Sequence, residues 1–437
     1  MLVDNVKNQL NTIFSKEKIL LDDSSHDLGN RAEVTVRPTT EEEIADLISF
    51  AHSNGKKVII EGGGTKKGFG GLVEYADICL SLKNYKGIVE HNPGDMTITL
   101  KAGTPFLEVQ NYLAGFNQMI SLDPFANEQT SIGGIIATND SGPKRLGYGS
   151  ARDVVIGMRL VYPDGSLIRA GGKVVKNVAG YDMNKLFIGS MGTLAVISEI
   201  TLKLRPIANY QSLVLISFPA GNLEVVKQFV VSVLDSLMEP VTLELLSPTL
   251  AAKLTGREEY TVAIQFQDVE SSVHYQTTYL ENLKPEVGTF SILQQDDAHL
   301  FWQAFYDLYP GLDTVNKTKS AAVKIGLKNM DVFELLEVTE KLNSSQFHIL
   351  AHGGLGHGIS QVYLYGEFDR ILSAIKEIRT LTSAKGGYAI VKHLPFSERL
   401  KINIWDDNPS YFFLLKNIKE KVDPNNVLNE KRYVGGI

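Results

Sequence analysis

Residue types and spacing put possible chemistry in three places. The first is a glycine run in Val58-Ile59-Ile60-Glu61-Gly62-Gly63-Gly64-Thr65-Lys66-Lys67-Gly68-Phe69-Gly70-Gly71. Glycine has no Cβ, so successive backbone N–H groups can approach a ligand closely and form a concave nest for phosphate oxygens. A loop whose glycines serve only its turns is the other reading. The second place is a longer tract of small and polar residues. It holds Asp123-Pro124, then Thr130-Ser131-Ile132-Gly133-Gly134, Thr138-Asn139-Asp140-Ser141-Gly142 and Arg145-Leu146-Gly147-Tyr148-Gly149. Such a segment can pack along an extended ligand and offer donors to phosphate and to a polar ring. A third glycine-rich segment runs from Gly171 to Asp182 and on through Gly189 to Ile197, and turns alone explain three such segments poorly.

The third place is histidine. His352 and His357 stand in Ala351-His352-Gly353-Gly354-Leu355-Gly356-His357-Gly358, a loop between two strand patterns. Two imidazoles there could ligate a metal if a carboxylate completed the site. No carboxylate is local, so a structural or pocket-lining role competes, and no metal is assigned. His393 follows the strand pattern Tyr388 to Val391. Histidine as a residue type titrates near neutral pH and could accept a hydroxyl proton; a satisfied histidine at a strand end is the alternative. His393 and His352 are the candidate catalytic residues. Arg399, Lys392 and Arg432 could hold a substrate carboxylate, and spacing does not choose among them.

The elements that position these residues are readable from periodicity. Lys57 to Ile60 is a β-branched strand entering the glycine loop, and Ala76 to Leu82 reads as the next strand with no helix between. The G-x-G-x-x-G and G-x-x-x-x-G-K-[ST] phosphate motifs both open a helix, and neither occurs in the chain. Before the loop, Thr40 and Glu43 stand in capping-box register, with Ile44, Leu47, Ile48 and Ala51 on one helical stripe ended by Asn54-Gly55. Ile98, Leu100 and Ala102 alternate as a half-buried strand, and Gly103-Thr104-Pro105 starts a helix. Val154 to Val161 and Leu167-Ile168 pair around Tyr162-Pro163-Asp164-Gly165. After Arg205-Pro206 glycine thins and amphipathic patterns take over at Leu213–Phe218, Val225–Leu237 and Val262–Phe266. The fold class is α+β.

Composition bounds the rest. At 437 residues the chain exceeds what one core usually supports, so two or more domains are expected. A net charge of −7, with no Lys/Arg run interleaved with aromatics, argues against a nucleic-acid partner. No apolar run reaches bilayer length. Val3, Val6, Leu10, Ile13 and Phe14 form the stripe of a docked helix, and a cytoplasmic protein is expected. Cys79 is the only cysteine, which excludes an internal disulfide and a self-contained four-thiolate iron–sulfur cluster.

The order of strand and GGGT loop, then TSIGGIIATNDSGPKRLGYGSARDVV, then KNVAGYDMNKLFIGSMGTLAVI resembles the vanillyl-alcohol-oxidase-type (PCMH-type) FAD-binding flavoproteins, and within them the glycolate oxidase FAD-binding subunits. The resemblance spans roughly residues 30–205. It implies a two-subdomain FAD-binding domain over 1–208, an α+β, ferredoxin-like cap over 209–385, and a C-terminal segment, 386–437, returning to the FAD domain through Asp423-Pro424 to Asn429. It implies that Gly62, Gly63, Gly64, Thr65 and Lys66 hold the pyrophosphate. Pro124, Thr130, Ser131, Ile132, Gly133, Gly134, Thr138, Asn139, Gly142, Arg145, Gly147, Tyr148, Gly149, Gly192 and Ile197 would follow the rest of FAD.

Some relatives attach flavin through a histidine in the loop. Thr65 and Lys66 stand there instead, so noncovalent FAD is expected. Glu61 replaces a common arginine, Met191 a common glutamate, and Lys392-His393 an E-H pair. In the loop that metal-using relatives write H-A-G-D-G-N-L-H, Leu355, His357 and Ile359 replace the aspartate, asparagine and second histidine. The implied activity is oxidation of a small 2-hydroxy acid to the 2-oxo acid. An iron–sulfur subunit, a second flavoprotein subunit or dioxygen would take the electrons. A self-sufficient dehydrogenase for another hydroxy acid such as D-lactate, and a non-catalytic FAD electron-transfer subunit, are the alternatives.

Overall fold

A computed structural model describes residues 2–21, 27–125, 128–172, 181–219, 221–310 and 319–437. Most of the sequence stretch from Gly171 to Asp182 lies outside the described residues. The chain divides into two compact units. The first is Met1–Asp140, Ser150–Ile207 and Pro395–Ile437; the second is Ser141–Gly149 and Ala208–Leu394.

The first unit holds two sheets. A four-stranded sheet runs in the order Ile19–Leu21, Arg31–Val36, Tyr75–Ser81, Val58–Glu61. Its last two pairings are parallel, although the linker between Val58–Glu61 and Tyr75–Ser81 contains no helix. Parallel neighbours normally need a helical crossover. Here the glycine loop and the residues after it make the return by themselves, from the C-terminal end of Val58–Glu61 to the N-terminal end of Tyr75–Ser81. The helix Glu41–Ser53 supplies the sheet's cover. Thr40 Oγ1 accepts from the Glu43 N–H at 3.2 Å, and the Glu43 carboxylate accepts from the Thr40 N–H at 3.4 Å. Ile44, Leu47, Ile48 and Ala51 then turn as one stripe onto Val34, Val36, Ile78 and Leu80. The second sheet is antiparallel, in the order Ile88–Asn92, Thr97–Lys101, Val196–Lys203, Val155–Val161, Leu167–Gly171.

The chain's last segment belongs to this unit. The Val58 N–H donates to Val427 O at 2.7 Å, and the Asn429 N–H donates to Val58 O at 2.9 Å, which adds residues 427–429 alongside the strand that feeds the glycine loop. A buried ion pair holds the segment in shape. Lys419 Nζ lies 2.6 Å from the Asp423 carboxylate, which also accepts from the Val427 and Leu428 N–H groups at 2.9 and 3.0 Å.

The second unit is an eight-stranded antiparallel sheet in the order Thr289–Gln294, Tyr210–Phe218, Tyr260–Asp268, Thr242–Leu246, His348–Gly354, Ile359–Tyr365, Ser320–Gly326, Tyr388–His393. Chain order resolves it into two successive β-α-β-β-α-β modules, the first with an added helix, Pro248–Thr255, between its second and third strands. Each places its fourth strand beside its first and its third beside its second, the ferredoxin-like arrangement. The modules join through their second strands, Thr242–Leu246 and His348–Gly354, where Leu246 pairs with His352 and Glu244 with Gly354. His352 therefore sits inside a strand. The sequence expectation of one loop carrying both His352 and His357 is corrected, because pairing with Gln361 extends the strand through Gly354 and leaves only His357 on the turn.

Candidate functional site

The first unit contains an open cleft. Its floor and walls are Ile59 to Lys67, Thr130, Ser131, Gly133, Gly134, Ala137, Thr138, Met191, Gly192, Ala195, Ile197, Asn429 and Arg432, with Asn30 and Leu82 at its margins. The two glycine tracts thus face one cavity, and the reason for glycine differs along them. A Cβ at Gly62 would overlap Ser131 Oγ, and one at Gly63 would overlap the Gln129 carbonyl. These glycines let two backbones close on each other. At Gly134 an added Cβ meets only Ser131 Oγ at 3.2 Å, so that backbone borders open space.

Ser131 caps the short helix Ile132–Thr138 by accepting from the Gly134 N–H at 3.3 Å. Thr138 Oγ1 donates back to Gly134 O at 2.8 Å. Asn139 ends the helix in the left-handed region at φ 47°, and its Oδ1 is buried without a partner. Asn429 ties three strands of the site together: Oδ1 accepts from the Ile60 N–H at 2.9 Å, and Nδ2 donates to Met191 O at 2.7 Å.

The lysines of the glycine loop are paired with carboxylates, Lys66 with Asp140 at 2.7 Å and Lys67 with Glu61 at 2.9 Å. Glu61, which replaces a common arginine, therefore serves as a partner for the loop's own lysine. Lys66 also donates to Phe125 O at 3.2 Å. The outer carbonyls of the loop are taken up as well. Asn30 Nδ2 donates to Lys67 O at 2.7 Å and Gly70 O at 3.0 Å, and Arg399 donates to the same two oxygens at 2.9 and 2.8 Å. Arg432 donates to Lys66 O at 3.1 Å.

Of the sequence candidates, Gly62, Gly63, Gly64, Thr65, Lys66, Thr130, Ser131, Gly133, Gly134, Thr138, Gly192 and Ile197 line this cleft. Pro124 and Ile132 are buried in the first unit without lining it, Ile132 in the apolar core. Asn139 lies one residue beyond the cleft-lining Thr138. Gly142, Arg145, Gly147, Tyr148 and Gly149 do not line it, and pack within the second unit. The Gly147 N–H donates to Val241 O at 3.1 Å, Tyr148 OH to Gln267 Oε1 at 2.7 Å, and Arg145 to Ser141 Oγ at 3.0 Å. Sequence reasoning passed over Asn30, Asn429 and Arg432 as cleft residues. The D-P-x-x-x-x-N spacing pointed to Asn429, whereas nothing local marks Asn30.

In the second unit His352 is buried at the seam between the two modules. Its Nδ1 lies 2.8 Å from the Glu244 carboxylate, its Nε2 3.4 Å from Tyr363 OH, and Phe305 packs edge-on at 4.7 Å. Burial, reinforced by the nearby Lys392 ammonium, pushes the imidazole down to about 3, so the ring is neutral. Burial also lowers His357, against the opposing charge of Glu244 at 3.9 Å. Among the described residues no group of three His, Cys, Asp or Glu side chains has the arrangement of a metal site. Lys392 is the extra residue of a bulge: Val391 pairs with Val323 and His393 with Ala322. The bulge keeps Lys392 buried, its ammonium 5.4 Å from the Tyr309 ring, and leaves His393 half-buried. Arg399 and Arg432, carboxylate-binding candidates by type, are used on the glycine loop.

Comparison with known proteins adds the ligand. Residues 32–171 match the FAD binding domain family. The glycolate oxidase subunit GlcE of Escherichia coli is 35% identical over 164 residues, which cover 37% of this chain and 46% of that protein. The D-lactate dehydrogenase of Archaeoglobus fulgidus is 26% identical over 435 residues, covering 92% of this chain and 91% of that protein. The chain spans from about a third to just over half the length of the first curated relatives it matches. Among solved structures, p-cresol methylhydroxylase with substrate bound superposes with a TM-score of 0.76 at 14% identity, over 99% of this chain and 96% of that one, which shows a shared fold. The cleft fits FAD on its own features: two tracts of closely packed backbone and a buried guanidinium, Arg432, in its lining. No described helix is long and apolar enough to cross a membrane.

Proposed function

We propose that the chain is an FAD-binding flavoprotein of the p-cresol methylhydroxylase type and an FAD-dependent oxidoreductase of the glycolate and D-lactate dehydrogenase group. Its reaction would convert a small 2-hydroxy acid to the 2-oxo acid and pass the electrons to a partner protein. The single observation that carries this reading is the convergence of the glycine loop and the 130–138 tract on one cleft, inside the segment that matches an FAD-binding domain.

Bound FAD supplies a hydride acceptor for the Cα–H of the substrate. The chain's residues do the rest. Gly62 to Thr65 present N–H groups to the diphosphate, and Ser131, Gly133, Gly134 and Thr138 border the remainder of the cofactor. Noncovalent binding is inferred from Thr65 and Lys66, which stand in the glycine loop where some relatives carry a flavin-attaching histidine. In the second unit, His393 is the better candidate for accepting the hydroxyl proton. It is half open to solvent, whereas His352 is enclosed by Glu244, Tyr363 and Phe305 and held neutral. His352 then acts as a positioning residue across the module seam. Cys79 is buried and is the chain's only cysteine, so onward electron transfer through a thiolate-bound cluster requires a separate subunit.

The test is anaerobic mixing of the purified, flavin-loaded protein with glycolate, D-lactate and D-2-hydroxyglutarate while flavin absorbance is followed. Bleaching by one of them supports the dehydrogenase. If the flavin stays oxidised with all three, the autonomous dehydrogenase is abandoned in favour of an electron-transfer subunit.

A further inference from the structure

The cations around the glycine loop do not balance. Lys66 and Lys67 each have a carboxylate, Asp140 and Glu61. Among the described residues neither Arg399 nor Arg432 forms an ion pair with a carboxylate, and the charge of Glu61, already paired with Lys67, acts on Arg432 from a distance. Arg399 is fully enclosed: it donates to Lys67 O, Gly70 O and Leu28 O, and its Nε has no partner. Arg432 is 8% exposed, lines the cleft beside the loop, donates to Lys66 O, and likewise leaves Nε without a partner. Every oxygen these guanidiniums contact is a neutral backbone carbonyl. Burial lowers Arg399 to about 9, helped by repulsion from Arg432, and burial lowers Arg432 to about 10 against the attraction of Glu61, so both stay charged at neutral pH. Two buried guanidiniums with no carboxylate in contact leave a strong demand for an anion next to them.

We propose that Arg432, backed by Arg399, is the counter-charge for the diphosphate of FAD, delivered to the glycine loop by the chain's C-terminal segment. The inference rests on FAD occupying this cleft. Two features support it. The two positive charges in excess equal the two negative charges of a diphosphate. Their hydrogen bonds to Lys66 O, Lys67 O and Gly70 O also occupy carbonyls of the loop that would otherwise repel an anion. The C-terminal segment thus does more than complete the sheet: it gives a neutralised glycine loop its net charge.

The test compares FAD binding to flavin-free full-length wild type, Arg432→Gln and Arg432→Lys, with thermal unfolding of each flavin-free protein as the second readout. Glutamine keeps a donor near Lys66 O and removes the charge; lysine keeps the charge and loses the fork. The expected result is at least a tenfold rise in the Kd for FAD with Arg432→Gln, a smaller rise with Arg432→Lys, and no loss of melting temperature in flavin-free Arg432→Gln. Equal weakening by both variants, unchanged affinity in Arg432→Gln, or collapse of flavin-free Arg432→Gln would each overturn the counter-charge role. Failure of the wild type itself to bind FAD would instead overturn the site.

Discussion

Gly63 and Gly134 border the same cleft and respond in opposite ways to a side chain. At Gly63 a Cβ would approach the Gln129 carbonyl oxygen to less than half the ordinary separation, against backbone that has no rotamer to escape into. The two tracts would have to part by roughly 2 Å, and overpacking of that kind costs about 1–3 kcal/mol, with the upper end expected where backbone meets backbone. Gly63→Ala should therefore lower the melting temperature of the flavin-free protein and weaken FAD as well. At Gly134 an added Cβ meets only the Ser131 hydroxyl oxygen at 3.2 Å, and the residue lies inside the helix Ile132–Thr138. Replacing a helical glycine removes a penalty of about 0.5–1 kcal/mol, so Gly134→Leu should fold at least as well as wild type. Its side chain would project into cofactor space, and an overlap of about 1–3 kcal/mol corresponds to a loss of affinity of roughly 5- to 150-fold. The assay is FAD titration of the flavin-free proteins by fluorescence, with thermal unfolding alongside. Wild-type FAD affinity in Gly134→Leu would refute the placement of the cofactor, and wild-type stability in Gly63→Ala would refute the packing.

Three further outcomes are expected. Asp423→Ala strands the buried Lys419 ammonium and removes the acceptor for the Val427 and Leu428 N–H groups, so unfolding should become easier by about 3–5 kcal/mol; a Lys419→Met, Asp423→Leu pair should lose less, measured by denaturant midpoints. Burial would raise the Glu41 carboxyl, but hydrogen bonds from Arg159 and Ser198 together with the Arg159 charge outweigh it and hold the group below its ordinary 4.5. The folded state is therefore favoured above that value, and wild type should lose stability as pH falls below 4.5, with a shallower fall in Glu41→Gln; parallel acid melting curves would contradict this. If a 2-hydroxy acid reduces the flavin, His393→Gln should slow that step by about 10²–10⁴, the usual range for a general base, in stopped-flow single turnovers. A neutral-pH limb in the wild-type rate cannot arise from His352, whose ring stays neutral down to about 3, and it should survive in His352→Gln.

Much of the cofactor site was legible because its requirements are local. The capping box at Thr40 and Glu43, the stripe from Ile44 to Ala51 and the strand feeding the glycine loop all depend on neighbours within a turn or two. The absence of a helix between Val58–Glu61 and Tyr75–Ser81 was readable for the same reason, and it ruled out the two common nucleotide motifs before any fold was in view. The stretch from Gly142 to Gly149 shows the limit of such reading. Its glycines look like a continuation of the cofactor tract, yet Gly147 and Tyr148 bond to Val241 and Gln267, partners about a hundred residues away. Composition reports which backbone is able to approach something closely, and is silent about what it approaches.

The sequence by itself determined the fold class, the position of the glycine loop and of the tract that shares its cleft, and the lack of thiolates for an internal cluster, since periodicity, small-residue runs and residue counts are properties of the chain. Only the tertiary structure decided how charge is distributed. Lys66 looks like a free phosphate ligand in sequence and is paired with Asp140, while Arg399 and Arg432 look like substrate-binding cations and lie buried against the loop with no carboxylate in contact among the described residues. His352 looks like a loop ligand and is a neutral ring at the seam of two modules. Burial and ion pairing depend on residues hundreds of positions apart, and the same side chain is a ligand, a strut or a counter-charge according to which of them the fold brings to it.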